Sequence, residues 1–504
     1  MIRCIVQKVI CHLPRILIDT TSGRVYDKQQ QAGAFEALPI FSELVSSMTT
    51  QTQLDYARIR KAVKEFYQYV MLSHRWKNGE PLLQQLGDIS VYDLEPSPPN
   101  TKLKSFCLLV RDLGFRWAWD DNSCVDKSNN VILQESMVAM FTWYRDSALT
   151  VVYLCDVSSE SQQPGDLWRS VWNTRVWTYQ EYVAAKTIRF YTKDWKPYLG
   201  LTMSNHKQAP SIIFEMQQAT GVPAEDMAML VPGLNNVRVK LYLASRRETT
   251  LVEDTAYSLF GIFNASLPVI YGEGNRAVGR LLEHVLTGSG DATILAWTGT
   301  AGSYNSCLPI DLTVYNPLVP PHVPQPIEQA EMDRITTRLR LSLSDFSILE
   351  TFRSQLNDLP SPSLAANRLR LPGIVFPLVD LVEDPELGPV TKRHVYCATT
   401  PTFGDVKIMT ADNLTGMEGL FLVHPWIRPL LDQEFLEGAT ALDETTQGLR
   451  LLARLRQPFG ALMFVQMTRV EYKRVAADSL ITVQFREGVS LAQLVDAIRT
   501  IEVQ

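Results

Sequence analysis

Between residues 66 and 191, short apolar runs alternate with stretches of helical spacing, and this alternation constrains the fold more than any other feature. Tyr69-Val-Met-Leu72, Arg116-Trp-Ala-Trp-Asp120, Leu149–Leu154 and Thr187–Tyr191 read as strands. Leu103, Phe106, Val110 and Leu113 recur at helical spacing, with Gly114 as a natural stop; so do Met137, Met140, Phe141, Tyr144 and Ala148. A long loop carrying Pro96, Pro98 and Pro99 precedes the first of these helices. Strands that alternate with helices imply a parallel sheet covered on both faces. Ligands of such sheets collect at the carboxyl ends of the strands. Ser73-His-Arg-Trp76 and Asp120-Asp-Asn-Ser-Cys124 lie at two such ends, and the polar loop at 158–165 follows a third.

That loop leads into Arg175-Val-Trp-Thr-Tyr-Gln-Glu-Tyr-Val-Ala-Ala185, which reads as an amphipathic helix. Val176, Tyr179, Val183 and Ala184 share one face, and Glu181 lies off that stripe, one turn after Trp177. Residues 210–290 are expected to be mostly helical. Thr250 and Glu253 have capping-box spacing for a helix running through Phe263. Ala277, Val278, Leu281, Leu282 and Val285 form the inward face of another, after the turn Tyr271-Gly-Glu-Gly-Asn275. Five prolines from Pro317 to Pro326 mark an exposed boundary. Beyond it Leu339, Leu341 and Leu343 alternate with polar residues, and strand-like runs recur at 374–379, 394–399, 418–423, 461–467 and 480–485.

A chain of 504 residues is too long for one hydrophobic core. The expected division is an N-terminal segment (1–65), an α/β domain (66–200), a helical extension (201–300), a proline-rich linker (301–329) and a β-rich C-terminal domain (330–504).

The formal net charge of -6 argues against a nucleic-acid partner, which would require a basic surface. Seven cysteines occur without Cys-x-x-Cys spacing, and seven histidines without an i, i+4 pair. Neither a disulfide framework nor a metal motif is expected, and reduced thiols point to the cytoplasm. The apolar N-terminus is interrupted by Arg3, Lys8, Pro14 and Arg15, so no signal peptide is expected. No run approaches the roughly 20 apolar residues of a membrane span. Phosphate-loop, dinucleotide-fingerprint and nucleophile-elbow motifs are missing. Acidic neighbours mark Cys124 as a structural thiol rather than a nucleophile. His74 could act as a base, although a lone histidine is more often a satisfied polar residue.

Several of these pieces fall together in order: Leu72-Ser-His-Arg-Trp76, Trp117-Ala-Trp-Asp-Asp-Asn-Ser-Cys-Val-Asp-Lys127, Glu135 to Tyr144, and Arg175-Val-Trp-Thr-Tyr-Gln-Glu181. The series resembles the fungal heterokaryon-incompatibility (HET) domain. His74 stands where Tyr is usual, Val125 where Ile is, and Lys127 where Gln is common. A second block, Arg246–Thr250, Glu253–Phe263 and Pro268–Gly274, resembles the region that follows the domain in such proteins. HET domains in turn resemble TIR domains, a flavodoxin-like family that includes NAD-cleaving enzymes. There a Trp-x-x-Glu motif carries the catalytic carboxylate. Trp177, Tyr179, Gln180 and Glu181 fit it with one extra residue between Trp and Glu.

The resemblance implies a TIR-like, flavodoxin-like sheet and a role in non-self recognition and cell death, akin to innate immunity. It implies self-association, an incompatibility partner protein, and no bound cofactor, with NAD+ as a substrate. Glu181 would be catalytic, with Ser73, His74, Arg75, Trp76, Asp120, Asp121 and Trp177 around the dinucleotide. The chemistry fits the residue types. Nicotinamide leaves as a neutral group from a cationic precursor, so charge develops on the ribose and a fixed carboxylate stabilises it. Trp76 and Trp177 could wall the site, and Asp120 and Asp121 could bind ribose hydroxyls. Plainer alternatives stand beside these: Trp119 and Trp177 as core, Asp120 as a helix cap, and a non-catalytic signalling module that acts by homotypic or partner binding.

Overall fold

The apolar runs pair into a six-stranded mixed sheet in the computed structural model, which describes residues 2–50, 56–228, 230–316, 327–343, 346–384, 394–401, 404–428, 431, 443–485 and 491–504. Its strands are β1 (Ile16–Asp19), β2 (Arg24–Asp27), β3 (Tyr69–His74), β4 (Trp117–Trp119), β5 (Leu149–Leu154) and β6 (Ile188–Thr192), in the order β2-β1-β4-β3-β5-β6. β4, β3, β5 and β6 are mutually parallel, and every residue of β3 is buried, as a strand covered on both faces requires.

Two features depart from expectation. Residues 1–65 do not stand apart: β1 pairs antiparallel with β4, and Arg116 Nη2 meets Asp19 Oδ2 at 2.7 Å across that junction. Four-residue strands are too short to show a period, which is why they escape a pattern reading. The prolines at 98 and 99 do not extend a loop but open the helix Pro98–Asp112, where Ser97 accepts from Asn100 N and the missing N–H groups cost nothing. Gly114, at φ +88°, then turns the chain out of the helix.

The helix Val176–Ala184 is buried on nearly all sides rather than along one stripe, and Glu181 is enclosed with the rest. Residues 247–269 pack with the first 233 as one compact unit. The expected single helix from Thr250 is instead two short ones, Asp254–Tyr257 and Phe260–Phe263, because Glu253 and not Thr250 occupies the cap and Asn264 ends the run in the left-handed region at φ +54°. The second helix lies so close to the helix Asn130–Asp146 that a Cβ on Gly261 would stand 2.2 Å from Phe141 Cβ. Gly261→Ala is therefore expected to destabilise this unit by about 1–3 kcal/mol through overpacking. Chemical denaturation measures it, and an unchanged midpoint would contradict the close approach.

The second unit comprises residues 234–246 and 270–504. In it the helix Arg276–Ser289 buries Ala277, Val278, Leu281, Leu282 and Val285. Residues 301–316, expected as linker, are packed instead, with Cys307, Leu308, Leu312 and Tyr315 buried. Pro317 to Pro326 lie outside the described residues. The leucine alternation at 339–343 is not a strand. Residues Gln329–Ser342 form a helix, Met332 and Leu339 two turns apart face the core, and Leu341 is 84% exposed. Three alternating leucines fit either period, and the buried i, i+7 pair decides for the helix.

Among the described residues ten strands follow: β7 (Ser363–Ala365), β8 (Arg368–Pro377), β9 (Val379–Glu383), β10 (His394–Thr400), β11 (Gly404–Thr410), β12 (Leu420–His424), β13 (Phe459–Gln466), β14 (Glu471–Val475), β15 (Ile481–Phe485) and β16 (Ile498–Val503). The pairings β12-β8-β16-β14-β13-β12 close a five-stranded ring. The near half of β13 leaves the ring to pair with β15, which continues through β11 and β10 to β9. Among the described residues no helix is long and apolar enough to cross a membrane.

Candidate active site

β3 ends on Ser73 and His74, β4 opens into Asp120 and Asp121, and the parallel register sets these ends side by side. Ser73 is fully buried. Its hydroxyl accepts from Trp172 Nε1 at 2.9 Å and donates to Glu181 Oε2. A strand end, the turn Val171–Thr174 and the helix Val176–Ala184 thus meet on one carboxylate. Glu181 is only 7% exposed. Burial pushes its carboxyl up to about 8; the Ser73 hydrogen bond opposes this, the Asp121 charge adds to it, and Arg175 and Arg247 oppose it. Arg247 is anchored beside the same helix, donating to Arg175 O at 3.0 Å and Thr178 Oγ1 at 2.8 Å.

A second polar cluster lies under the adjoining loop. Glu80 accepts from Lys102 Nζ at 2.6 Å, Asn122 Nδ2 at 2.6 Å and Lys77 N at 2.8 Å, and meets His74 Nε2 at 2.9 Å. Burial works against its ionisation, but the hydrogen bonds and charges of His74 and Lys102 hold the carboxyl well below the usual range. Asp120, also buried, accepts from Ser123 N at 3.1 Å and Ser123 Oγ at 2.8 Å, so it does cap the short helix Asp121–Cys124. Its burial raises its carboxyl. Cys124 is a buried thiol pushed well above its ordinary value, as befits a structural residue.

Trp76 is 42% exposed and donates from Nε1 to Asp121 Oδ2 at 2.5 Å. Lys127 Nζ lies 3.5 Å and Arg175 Cζ 4.3 Å from the centre of its ring. These side chains border a cleft of about 890 Å³, whose walls also include Arg75, Lys77, Asn122, Trp177 and Asp254. The second sequence block builds the far wall. Val176 N donates to Glu248 O at 3.0 Å, and Trp177 Nε1 to Asp254 Oδ2 at 3.0 Å.

The predicted residues therefore divide between two adjoining places. Arg75, Trp76 and Trp177 line the cleft, and Asp121 reaches it through Trp76. Glu181 and Ser73 are not among the lining residues: Glu181 follows Trp177 by one turn, about 6 Å along the helix. His74 and Asp120 belong to the buried cluster, and Trp119 is core. His74, Asp120 and Asp121 lie together, with one ligand atom of each within 4.8 Å of the others. Glu80, Lys102, Trp172 and Arg247 escaped the sequence reading. A capping or i, i+4 signal marks none of them, although Glu80 in Asn78-Gly-Glu-Pro81 sits in the loop that leaves the β3 end.

Comparison with known proteins adds to this geometry. Residues 69–166 match the family model described as Heterokaryon incompatibility protein (HET). That segment holds Ser73 to Trp76, Asp120 and Asp121, and stops short of the Glu181 helix. Over 231 residues the chain is 36% identical to Vegetative incompatibility protein HET-E-1 of Podospora anserina. The match covers 43% of this chain and 16% of that protein's length. No solved structure matches the chain.

Proposed function

With a heterokaryon-incompatibility (HET) domain in this chain, we propose that it acts in vegetative incompatibility, as a non-self-triggered effector of cell death that cleaves NAD+ to nicotinamide and an ADP-ribose product. The observation that carries the reading is Glu181, a buried carboxylate fixed by Ser73 at the carboxyl end of a parallel sheet. A buried ionisable group is costly to keep, and such groups cluster at functional sites. The four parallel strands run β4-β3-β5-β6, which is 2-1-3-4 in their own chain order. That order supports the flavodoxin-like, TIR-like assignment, and its switch point falls between β3 and β5, beside Ser73.

In this reading the cleft takes the dinucleotide. Its volume is that of a ligand site, and Lys127 and Arg175 supply fixed positive charge for a pyrophosphate. The nicotinamide ribose must reach past Trp177 to Glu181. Trp172 orients Ser73, Ser73 orients the carboxylate, and the carboxylate stabilises the cationic ribose as the glycosidic bond breaks. Incubation of the purified protein with NAD+ tests this, with nicotinamide release as the readout.

One observation favours a second reading, an interaction module without catalysis: Glu181 stands outside the lining of the cleft. The two readings are reconciled if self-association moves the Trp76 loop and opens the way to Glu181. Specific activity should then rise with protein concentration. A rate per molecule that stays constant, from a species that remains monomeric during turnover, would contradict that step. An incompatibility partner protein acting from outside, in the cytoplasm, would be the natural trigger.

A further inference from the structure

We propose that His74, Asp120 and Asp121 form a divalent-cation site at the carboxyl ends of β3 and β4. Each of the three residues offers a ligand atom there, and these atoms lie within 4.8 Å of one another. Glu80 holds His74 through Nε2 at 2.9 Å, and an ionised carboxylate can only accept, so Nε2 carries the hydrogen. A metal binds the neutral ring, in which the lone pair is then on Nδ1, and this atom lies 3.8 Å from Asp120 Oδ1. That separation is too long for a hydrogen bond. Asp120 is only 3% exposed, and its Oδ1 is buried without a hydrogen-bond partner; Asp121 Oδ1 is likewise buried and unpartnered. Two buried carboxylate oxygens without hydrogen-bond partners, beside an imidazole nitrogen, are acceptors that a bound cation would satisfy.

The spacing fits an ion. Bonds of about 2.0–2.6 Å place neighbouring ligands about 3–3.7 Å apart and opposed ligands about 4–5 Å apart, and one ligand atom from each of the three residues lies within 4.8 Å of the others. The surroundings fit as well. Glu80 on the far nitrogen of His74 is the carboxylate–histidine arrangement that orients a metal-binding imidazole. Trp76 Nε1 and Ser123 occupy the other oxygens of Asp121 and Asp120, leaving both Oδ1 atoms without a hydrogen-bond partner. One nitrogen and two carboxylate oxygens, with places left for water, suit Mn2+ or Mg2+ better than a thiolate-seeking metal. The site is invisible to motif spacing because its ligands come from two strands that are neighbours only in the sheet.

Mn2+ is the probe of choice, since the seven cysteines compete poorly for it. Full-length protein stripped with chelator and titrated with Mn2+ should bind one equivalent, read by loss of the free-ion electron paramagnetic resonance signal, and should melt at a higher temperature with the ion than without. Asp120→Asn retains a capping oxygen for Ser123, and Asp121→Asn retains an acceptor for Trp76. Each is expected to weaken Mn2+ binding at least tenfold while keeping the melting temperature of the metal-free wild type. If Asp120→Asn fails to fold, Asp121→Asn alone decides. No saturable binding by the wild type, or wild-type affinity in the Asp121→Asn variant, would overturn the proposal. The readout is independent of NAD+ turnover, so it stands or falls apart from the proposed activity.

Discussion

Glu181→Gln is expected to reduce NAD+ cleavage about 10²-fold or more and, at the same time, to make the protein more stable above neutral pH. The first effect is that of removing a preorganised charge that stabilises the transition state. The second follows from the burial of the carboxyl. Its ordinary value is 4.5, and in the fold it is raised to about 8. Between these values the unfolded chain releases a proton that the folded chain retains. The stability contribution of the protonated group is thus complete below pH 4.5 and lost as pH rises through 8. The size of that loss is on the order of 3–5 kcal/mol. Gln bears no such dependence, so the variant should melt about 5–15 °C higher than wild type at pH 8.5 and nearly equal to it at pH 4.5. Calorimetry across that range checks this. A variant that melts lower at pH 8.5 would show that Glu181 is a structural ion-pair partner. The same ionisation should appear in turnover: kcat/KM for NAD+ should rise with pH toward a plateau above about 8.

Glu80→Gln is expected to have the opposite sign and comparable size. The wild-type carboxylate receives Lys102, Asn122, the Lys77 amide and His74. Gln would turn an amide N–H2 toward groups that are themselves donors, and would leave the Lys102 ammonium buried without a counter-charge. Breaking a buried pair by removing one partner costs about 3–5 kcal/mol. Because the Glu80 carboxyl is depressed, its contribution is present above the ordinary value of 4.5 and is lost as pH falls toward the lowered one. The gap between wild type and variant should therefore be widest near neutral pH and narrow in acid. Thermal melts of both proteins from pH 3 to 7 measure it. A pH-independent gap would mean that packing rather than charge makes the difference.

How much of this was legible in the sequence depended on the range over which the physics acts. β5 and the helix Arg276–Ser289 could be read residue by residue, because burial repeats within a few positions. The helix bearing Glu181 was legible as a helix, but its enclosure was not. A stripe of Val176, Tyr179, Val183 and Ala184 says which face is apolar, and says nothing of Arg247 and Asp254 arriving on the other sides. The ring that closes β12 onto β13 could not be inferred from the runs at 418–423 and 461–467, since strand order carries no local signal. β14 and β16 were missed for a related reason: only part of each is buried, and their polar residues mask the alternation. The site itself was half visible. Ser73, Trp76, Asp121 and Glu181 stood out as chemistry-bearing residues at strand ends and on a motif. The grouping of His74 with Glu80 and Asp120 needed β3 and β4 to be neighbours in register.

The central claim is that Glu181 is a catalytic carboxylate, and nicotinamide release tests it most directly. Purified full-length protein is incubated with NAD+ over a range of protein concentrations, and nicotinamide is quantified by chromatography, with Glu181→Gln of confirmed fold in parallel. The account predicts release by the wild type, growing more than in proportion to protein concentration, and loss of about 10²-fold or more in the variant. Undiminished release by Glu181→Gln, or no release by the wild type at any concentration, would contradict it.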